Sequence, residues 1–207
     1  MGANPRELCG LRLAAAGLHV KPSFKELVAR YSGTLNLVGP SLLADWDGAV
    51  AVARLCAEQL PLGVEVLDLG SGAGLPGIPL AQLRPDLKIY LCEIRQRRAA
   101  FLRLAVGQLG LSNAWVIARE ARRCGRQFHW ITAQAVGSLQ ALLQALGGVT
   151  APPWHLLIRR PLAWSPFSEL GPGSAAGAAA LVVAASAVTG DSALIHLQFS
   201  EPAEALL

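Results

Sequence analysis

One short stretch narrows the folds open to this chain more than any other. An apolar run, Val64 to Leu69, passes into Gly70-Ser71-Gly72-Ala73-Gly74-Leu75-Pro76-Gly77 and then into a helix expected near residues 77–84. Glycines at alternate positions let the backbone turn tightly without side-chain clash, so a ligand can approach the main chain and the helix N-terminus. A loop of this kind between strand and helix is a seat for a nucleotide-like ligand. The same transition then repeats. Strand-like runs at Val64 to Leu69, Lys88 to Cys92, Ala114 to Ala118, Phe128 to Ala133 and His155 to Ile158 alternate with helices expected near 77–84, 95–110 and 137–146. Such alternation predicts an α/β fold with a mostly parallel sheet covered on both faces. The tail differs, because Leu181 to Val188 and Ala193 to Phe199 flank the turn-rich Thr189-Gly190-Asp191-Ser192. That pattern suits an antiparallel hairpin.

Up to about Leu60 the apolar spacing is helical: Leu8, Leu11 and Leu13 to Ala15, then Phe24, Leu27, Val28 and Tyr31, then Leu42 to Leu60. Pro22 and Pro40 fit helix beginnings or the turns ahead of them. An N-terminal helical extension over 1–60 and a Rossmann-like domain over 61–207 are therefore expected to form one globular unit, for which 207 residues, 53% of them hydrophobic, suffice. Ser165 to Ala180 is rich in Gly, Ala and Ser and reads as a mobile loop. The uncharged run Gly171 to Gly190 is long enough for a membrane helix, but its Gly, Ala and Ser content and Pro172 favour a loop followed by a strand. Cys9, Cys56, Cys92 and Cys124 lack the close spacing of a zinc or redox motif, and His19, His155 and His196 have no ligand-like spacing. Reduced thiols, no metal, a cytoplasmic location, no membrane association and a monomer are the expectations.

Spacing alone leaves two ligand classes open. Gly72-x-Gly74-x-x-Gly77 also satisfies the dinucleotide fingerprint, and Glu93 lies 21 residues beyond Gly72. Glu93 suits ribose hydroxyls in either case. Asp68, two residues before Gly70, favours S-adenosylmethionine, because an acid suits the amino-acid end of that molecule and repels a pyrophosphate. An NAD(P)-dependent oxidoreductase stays as an alternative, although no Tyr-Lys or His constellation supports it. A parallel sheet finished by a hairpin at one edge is the layout of class I S-adenosylmethionine methyltransferases.

The run Val66-Leu67-Asp68-Leu69-Gly70-Ser71-Gly72-Ala73-Gly74-Leu75-Pro76-Gly77-Ile78-Pro79-Leu80-Ala81, with Arg84-Pro85-Asp86, resembles the RsmG (GidB) family. The resemblance continues through Glu93, Arg97-Arg98, Phe101-Leu102 and Leu109 to Asn113, and upstream in Leu35-Asn36-Leu37-Val38. It implies methyl transfer from S-adenosylmethionine to N7 of a guanine in 16S rRNA, free or within the 30S subunit. It also implies a cofactor along Gly70, Ser71, Gly72, Gly74 and Leu75, with Asp68 near its amino group, Glu93 on the ribose, the Arg119-Glu120 segment beside the adenine, and Gln134 close by. Arg97, Arg98, Arg122, Arg123, Arg126, Arg159 and Arg160 would face RNA phosphates. The positive charge is nearly all arginine, with lysine only at Lys21, Lys25 and Lys88. Arginine suits phosphate, since its planar fork binds two oxygens at once.

Three departures mark this chain. Residues 46–55 lack the Arg-His and Asp-Ser pairs usual in the family, Ala133-Gln134-Ala135 stands where members generally show Ala-Arg-Ala, and Arg159-Arg160 stands for Lys-Gly. They motivate a second class of function, a degenerate protein that binds cofactor or RNA without turnover. His129 reads as packing, because N7 carries a free lone pair and needs no base. Of Trp115, Trp130, Trp154 and Trp164, the first three read as core and Trp164 alone as a candidate to touch RNA.

Overall fold

Seven strands join in one sheet. The computed structural model describes residues 22–135, 137–165, 169, 180–189 and 192–206, with backbone only at 22, 23 and 180–189. The expected helix over Leu8 to Ala15, and most of the expected loop from Ser165 to Ala180, lie outside the described residues. In chain order the elements are α1 (Pro22–Leu35), α2 (Pro40–Ala44), α3 (Trp46–Gln59), β1 (Glu65–Leu69), α4 (Gly77–Leu83), β2 (Lys88–Cys92), α5 (Gln96–Leu109), β3 (Ala114–Ile117), β4 (Phe128–Ala133), α6 (Leu139–Leu146), β5 (Thr150–Pro161), β6 (Ala180–Thr189) and β7 (Ser192–Phe199). The sheet runs β3-β2-β1-β4-β5-β7-β6. Strands β1 to β5 pair in parallel, and β7 runs antiparallel to both β5 and β6.

Because successive strand residues point to opposite faces, each buried strand feeds two cores. Val66, Ile89, Leu91 and Leu157 face α1, α3, α4 and α5, while Leu67, Leu69, Ile131 and Ile158 face α6. Helix α1 buries Phe24, Leu27 and Val28, and α6 buries Leu139, Leu142, Leu143 and Leu146, the i, i+3, i+4 spacing of one apolar face. Ser138 starts α6 by accepting the Ala141 N–H at 3.2 Å.

Two expectations change. The helical stretch read from Leu42 to Leu60 is broken at Asp45, whose side chain turns back to accept the Gly48 N–H at 3.2 Å and caps α3. Strand β5 begins at Thr150, five residues before the expected His155. Pro152 and Pro153, which cannot donate to a ladder, sit where the β4–β5 register slips between Phe128 and Trp130.

Buried Arg84 ties the N-terminal helices to the sheet. Its guanidinium donates to the carbonyls of Ala57 at 2.7 Å, Leu60 at 3.0 Å and Pro61 at 3.0 Å, which α3 leaves unsatisfied at its C-terminus. It also grips both carboxylate oxygens of Asp86, at 2.8 and 2.7 Å, and Asp86 takes the Gly63 N–H at 3.0 Å. Asp86 is thereby held near pH 2, well below the usual carboxylate range.

Candidate ligand cleft and its rim

The register assembles the site. Ile117, Cys92, Leu69, Ala133 and Ile158 stand side by side as the last paired residues along the C-terminal edge of the parallel strands. One step further come Ala118, Glu93, Gly70, Gln134 and Arg159. In an open parallel sheet this edge is where ligands bind.

The glycine loop is fastened across to β2. Gly70 and Ser71 N–H both donate to the Cys92 carbonyl, at 2.9 and 3.0 Å, and Gly74 N–H closes on the Ser71 carbonyl at 2.6 Å. Gly70, Gly72 and Gly74 have φ of +70°, +53° and +93°, left-handed values that strain any residue with a Cβ. Glu93, 5% exposed, links the loop to the next helix, because one carboxylate oxygen accepts the Gly72 N–H at 3.1 Å and the other the Arg95 N–H at 2.8 Å. Its negative charge thus sits where α5 begins, the favoured end of the helix dipole.

A cleft of about 440 Å³ opens beside this loop, lined by Leu69, Gly70, Glu93, Ile94, Glu120 and Arg122, with Ala141, Gln144 and Ala145 of α6 closing its far wall. Ile94 is 63% exposed directly after Glu93, an apolar surface at the mouth. Sequence reading missed Ile94, although an apolar residue just past an acid-tipped strand was the available signal. The α6 residues carried no signal, since only packing brings them here. Glu120 pairs with Arg122 at 2.7 Å and Arg123 at 3.3 Å, and Arg122 holds its carboxyl below the ordinary value. Arg119 is exposed, and its carbonyl takes the Cys92 thiol at 3.3 Å.

Asp68 sits elsewhere than its neighbours. It faces the opposite side of β1 from the cleft, 1% exposed beneath the loop. Oδ1 accepts the Thr132 hydroxyl at 2.9 Å, while Oδ2 is buried without a hydrogen-bond partner among the described residues. Burial pushes the pKa from 3.8 up to about 6, against hydrogen bonding from Ser71 and Thr132. A Cβ on Gly77 would stand 2.6 Å from Oδ2 and 2.4 Å from Leu91, so the helix start can lie this close only without a side chain. Leu75 is buried, a support of the loop. Gln134 follows β4 with its carboxamide oxygen buried and unpartnered among the described residues, and the next residue, Ala135, has a left-handed φ of +55°. Strained backbone of this kind clusters at functional sites.

The arginines divide. Arg97 is exposed on α5, and Arg98 donates to the Asn36 carbonyl, its guanidinium 3.7 Å from where a Cβ on Gly72 would be. Arg122 and Arg123 are exposed by the cleft mouth. Arg159 at the end of β5 donates to the Ser192 hydroxyl at 3.1 and 3.0 Å, and Arg160 donates to the Gly137 carbonyl at 2.8 Å. Arg126 is not brought to this rim. It precedes β4 and so lies at the opposite edge, paired with Glu65 at 2.8 Å and 4.6 Å over the Tyr90 ring.

His129 also lies at that opposite edge, exposed, with Nδ1 2.9 Å from the Pro153 carbonyl. It is neither core nor cleft. Trp154 is buried and Trp130 stacks on His155 at 4.0 Å, but Trp115, read as core, is 44% exposed because β3 is the edge strand. Cys56, Cys92 and Cys124 are free thiols, and no described helix is long and apolar enough to cross a membrane.

This strand order, with a glycine loop after β1 and an acid after β2, defines the class I S-adenosylmethionine-dependent methyltransferase fold. A methyltransferase of that class from Aquifex aeolicus aligns with a TM-score of 0.58 at 20% identity, covering 79% of this chain and 95% of that one. M. capricolum TrmK in complex with S-adenosyl-homocysteine aligns with a TM-score of 0.55 at 16% identity, covering 72% and 68%. The chain belongs to the GidB family, rRNA small subunit methyltransferase G, whose model matches residues 25–151. Ribosomal RNA small subunit methyltransferase G of Nocardioides sp. is 41% identical over 133 residues, 63% of this chain and 53% of that protein. The Frankia alni protein of the same name is 38% identical over 147 residues, 68% and 54%. The chain therefore spans about half the length of the curated relatives it matches.

Proposed function

We propose that this chain transfers a methyl group from S-adenosylmethionine to N7 of a guanine in 16S rRNA. The observation that carries the reading is the loop of Gly70 to Gly74 fastened to the Glu93 carboxylate at the mouth of a 440 Å³ cleft. S-adenosylmethionine would supply an electrophilic methyl on sulfur. The residues present suit it. Glu93 offers acceptors for ribose hydroxyls, Ile94 an apolar face for the adenine, and the loop its main-chain groups. The partnerless Oδ2 of Asp68 places negative charge under the loop, which favours a cationic amino-acid end and disfavours pyrophosphate.

Guanine N7 carries its own lone pair, so no side chain need remove a proton. Orientation can carry the reaction. Consistently, the groups along the C-terminal edge bind and position rather than act as bases, and His129 is remote. Arg122, which lines the cleft, and Arg97, Arg98, Arg123, Arg159 and Arg160 would meet RNA phosphates. Arg126 is left out of that set by its place at the far edge.

Calorimetric titration tests the cofactor, with micromolar-range binding of S-adenosylmethionine expected; binding of NAD in its place would overturn the reading. Labelled cofactor and undermethylated 30S subunits test the transfer. The second reading, binding without turnover, is favoured by Gln134, which can donate hydrogen bonds but cannot neutralise a phosphate. Label entering RNA excludes it.

A further inference from the structure

We propose that the N-terminus of α6, Trp164 and Arg160 form an anion site that the chain fills with its own Glu169 carboxylate, and that a phosphodiester of the RNA substrate displaces Glu169 there. The RNA half rests on the function proposed above. The anion site itself does not.

Two donors and a cation converge on Glu169. The Leu139 N–H at the start of α6 donates to Oε2, and the Trp164 indole N–H donates to Oε1 at 2.6 Å. Arg160 Nε lies 3.6 Å from the same Oε1, beyond hydrogen-bond reach, and makes no hydrogen bond among the described residues. The rest of that guanidinium is engaged, one nitrogen with the Gly137 carbonyl at 2.8 Å and the other with the Arg159 carbonyl at 3.4 Å. The Arg160 side chain is only 10% exposed. A cation this buried has given up hydration, and burial accordingly lowers its proton affinity against the opposing pull of Glu169.

The fit of the occupant is incomplete for a geometric reason. A planar carboxylate accepts best in its own plane, and with one oxygen held by the amide and the other by the indole it stays 3.6 Å from Arg160 Nε, outside hydrogen-bond reach. A phosphate group presents its oxygens tetrahedrally, so one can turn toward Arg160 Nε while others keep the first two donors. The helix start adds a favourable field for either anion. Arginine is also the side chain best matched to phosphate oxygens.

The location suits a substrate rather than a cofactor. Gly137 follows β4 and Arg160 is the last residue but one of β5, so the site stands on the same sheet edge as Gln134. Helix α6 meets both places, lending Ala141, Gln144 and Ala145 to the cleft and its first amide to Glu169. The Glu169 side chain is 25% exposed, so solvent and a ligand can reach the carboxylate.

Glu169→Gln and Glu169→Ala test this in the full chain, by thermal melts in low-salt buffer with and without millimolar inorganic phosphate, against chloride at matched ionic strength. Both variants are expected to melt below wild type without phosphate and to regain the difference with it, while Arg160→Gln/Glu169→Gln does not respond. No response beyond that to chloride, or an equal response in the double variant, marks an adventitious ion only and overturns the site. In the second arm, binding of a 16S rRNA fragment should tighten at least about threefold in Glu169→Gln and weaken at least about threefold in Arg160→Gln. Phosphate recovery with unchanged RNA affinities overturns the phosphodiester assignment and leaves a site for free phosphate. If no form binds RNA, wild type included, while phosphate recovery persists, it is the proposed function that fails.

Discussion

Replacing Asp68 by asparagine should make the ligand-free protein more stable and a poorer binder of its cofactor. The folded chain holds the Asp68 proton more tightly than the unfolded one, with a pKa of about 6 against 3.8. Its contribution is therefore most favourable below the lower value and is lost as pH rises through the upper one. At about 1.4 kcal/mol per tenfold change in proton affinity, the ionised carboxylate costs the fold about 3 kcal/mol at pH 8. Asparagine keeps an oxygen for the Thr132 hydroxyl and carries no charge, but its amide hydrogens enter a spot with no acceptor in place, returning about 1–2 kcal/mol. A net gain of about 1–2 kcal/mol is expected in urea unfolding at pH 8. At pH 5 the folded carboxyl is protonated and the gain should shrink by about 1.5 kcal/mol. The same variant should bind S-adenosylmethionine about tenfold more weakly, since the charge beneath the loop is gone. A variant no more stable than wild type at pH 8, or a gain independent of pH, would refute the reasoning.

Glu93→Gln should weaken cofactor binding about tenfold by calorimetry and cost about 1–3 kcal/mol in denaturant unfolding, because a carboxamide oxygen can accept only one of the Gly72 and Arg95 N–H groups and the charge on the ribose bonds is lost. Arg84→Met should cost about 3–5 kcal/mol in denaturant unfolding, since three carbonyls and Asp86 lose their donor together. His196, buried against His155 at 2.9 Å and 3.3 Å from Gln59, has its pKa lowered by burial from 6.5 to about 4. The unfolded chain binds that proton more readily, so His196 makes stability rise with pH between about 4 and 6.5, opposite to Asp68. His196→Gln should flatten the rise, and an unaltered pH profile of unfolding would count against it.

What the sequence disclosed follows the range of the interactions. The glycine loop and Glu93 were legible because a strand, a turn and a strand tip are local, and the spacing between Gly72 and Glu93 is set by one strand–helix–strand unit. Arg126 was misplaced although the order of elements held the answer: residues that precede a parallel strand lie at the opposite edge from residues that follow it. The break at Asp45 depends on a single capping side chain, which apolar spacing does not register. Neither the α6 wall of Ala141, Gln144 and Ala145 nor the cluster of Arg160, Trp164 and Glu169 could be read, because each joins segments that only tertiary packing brings together. The placement of Asp68 on the face away from the cleft was available from strand alternation, since Leu67 and Leu69 must face α6.

The Arg84 clamp bears on where this chain can be cut. Four of its bonds reach back to Ala57, Leu60, Pro61 and across to Asp86, and Phe24, Val28, Trp46 and Val50 share one apolar layer with Ile78, Ile89 and Leu102. A truncation begun just ahead of β1, at the border that the change of periodicity suggests, would strip that layer from one side of the sheet and leave a guanidinium facing solvent without the Ala57 and Leu60 carbonyls. Expression of residues 61–207 alone should accordingly yield aggregate, whereas a start ahead of Pro22 keeps the opening helices as a wall that the nucleotide-type half cannot stand without.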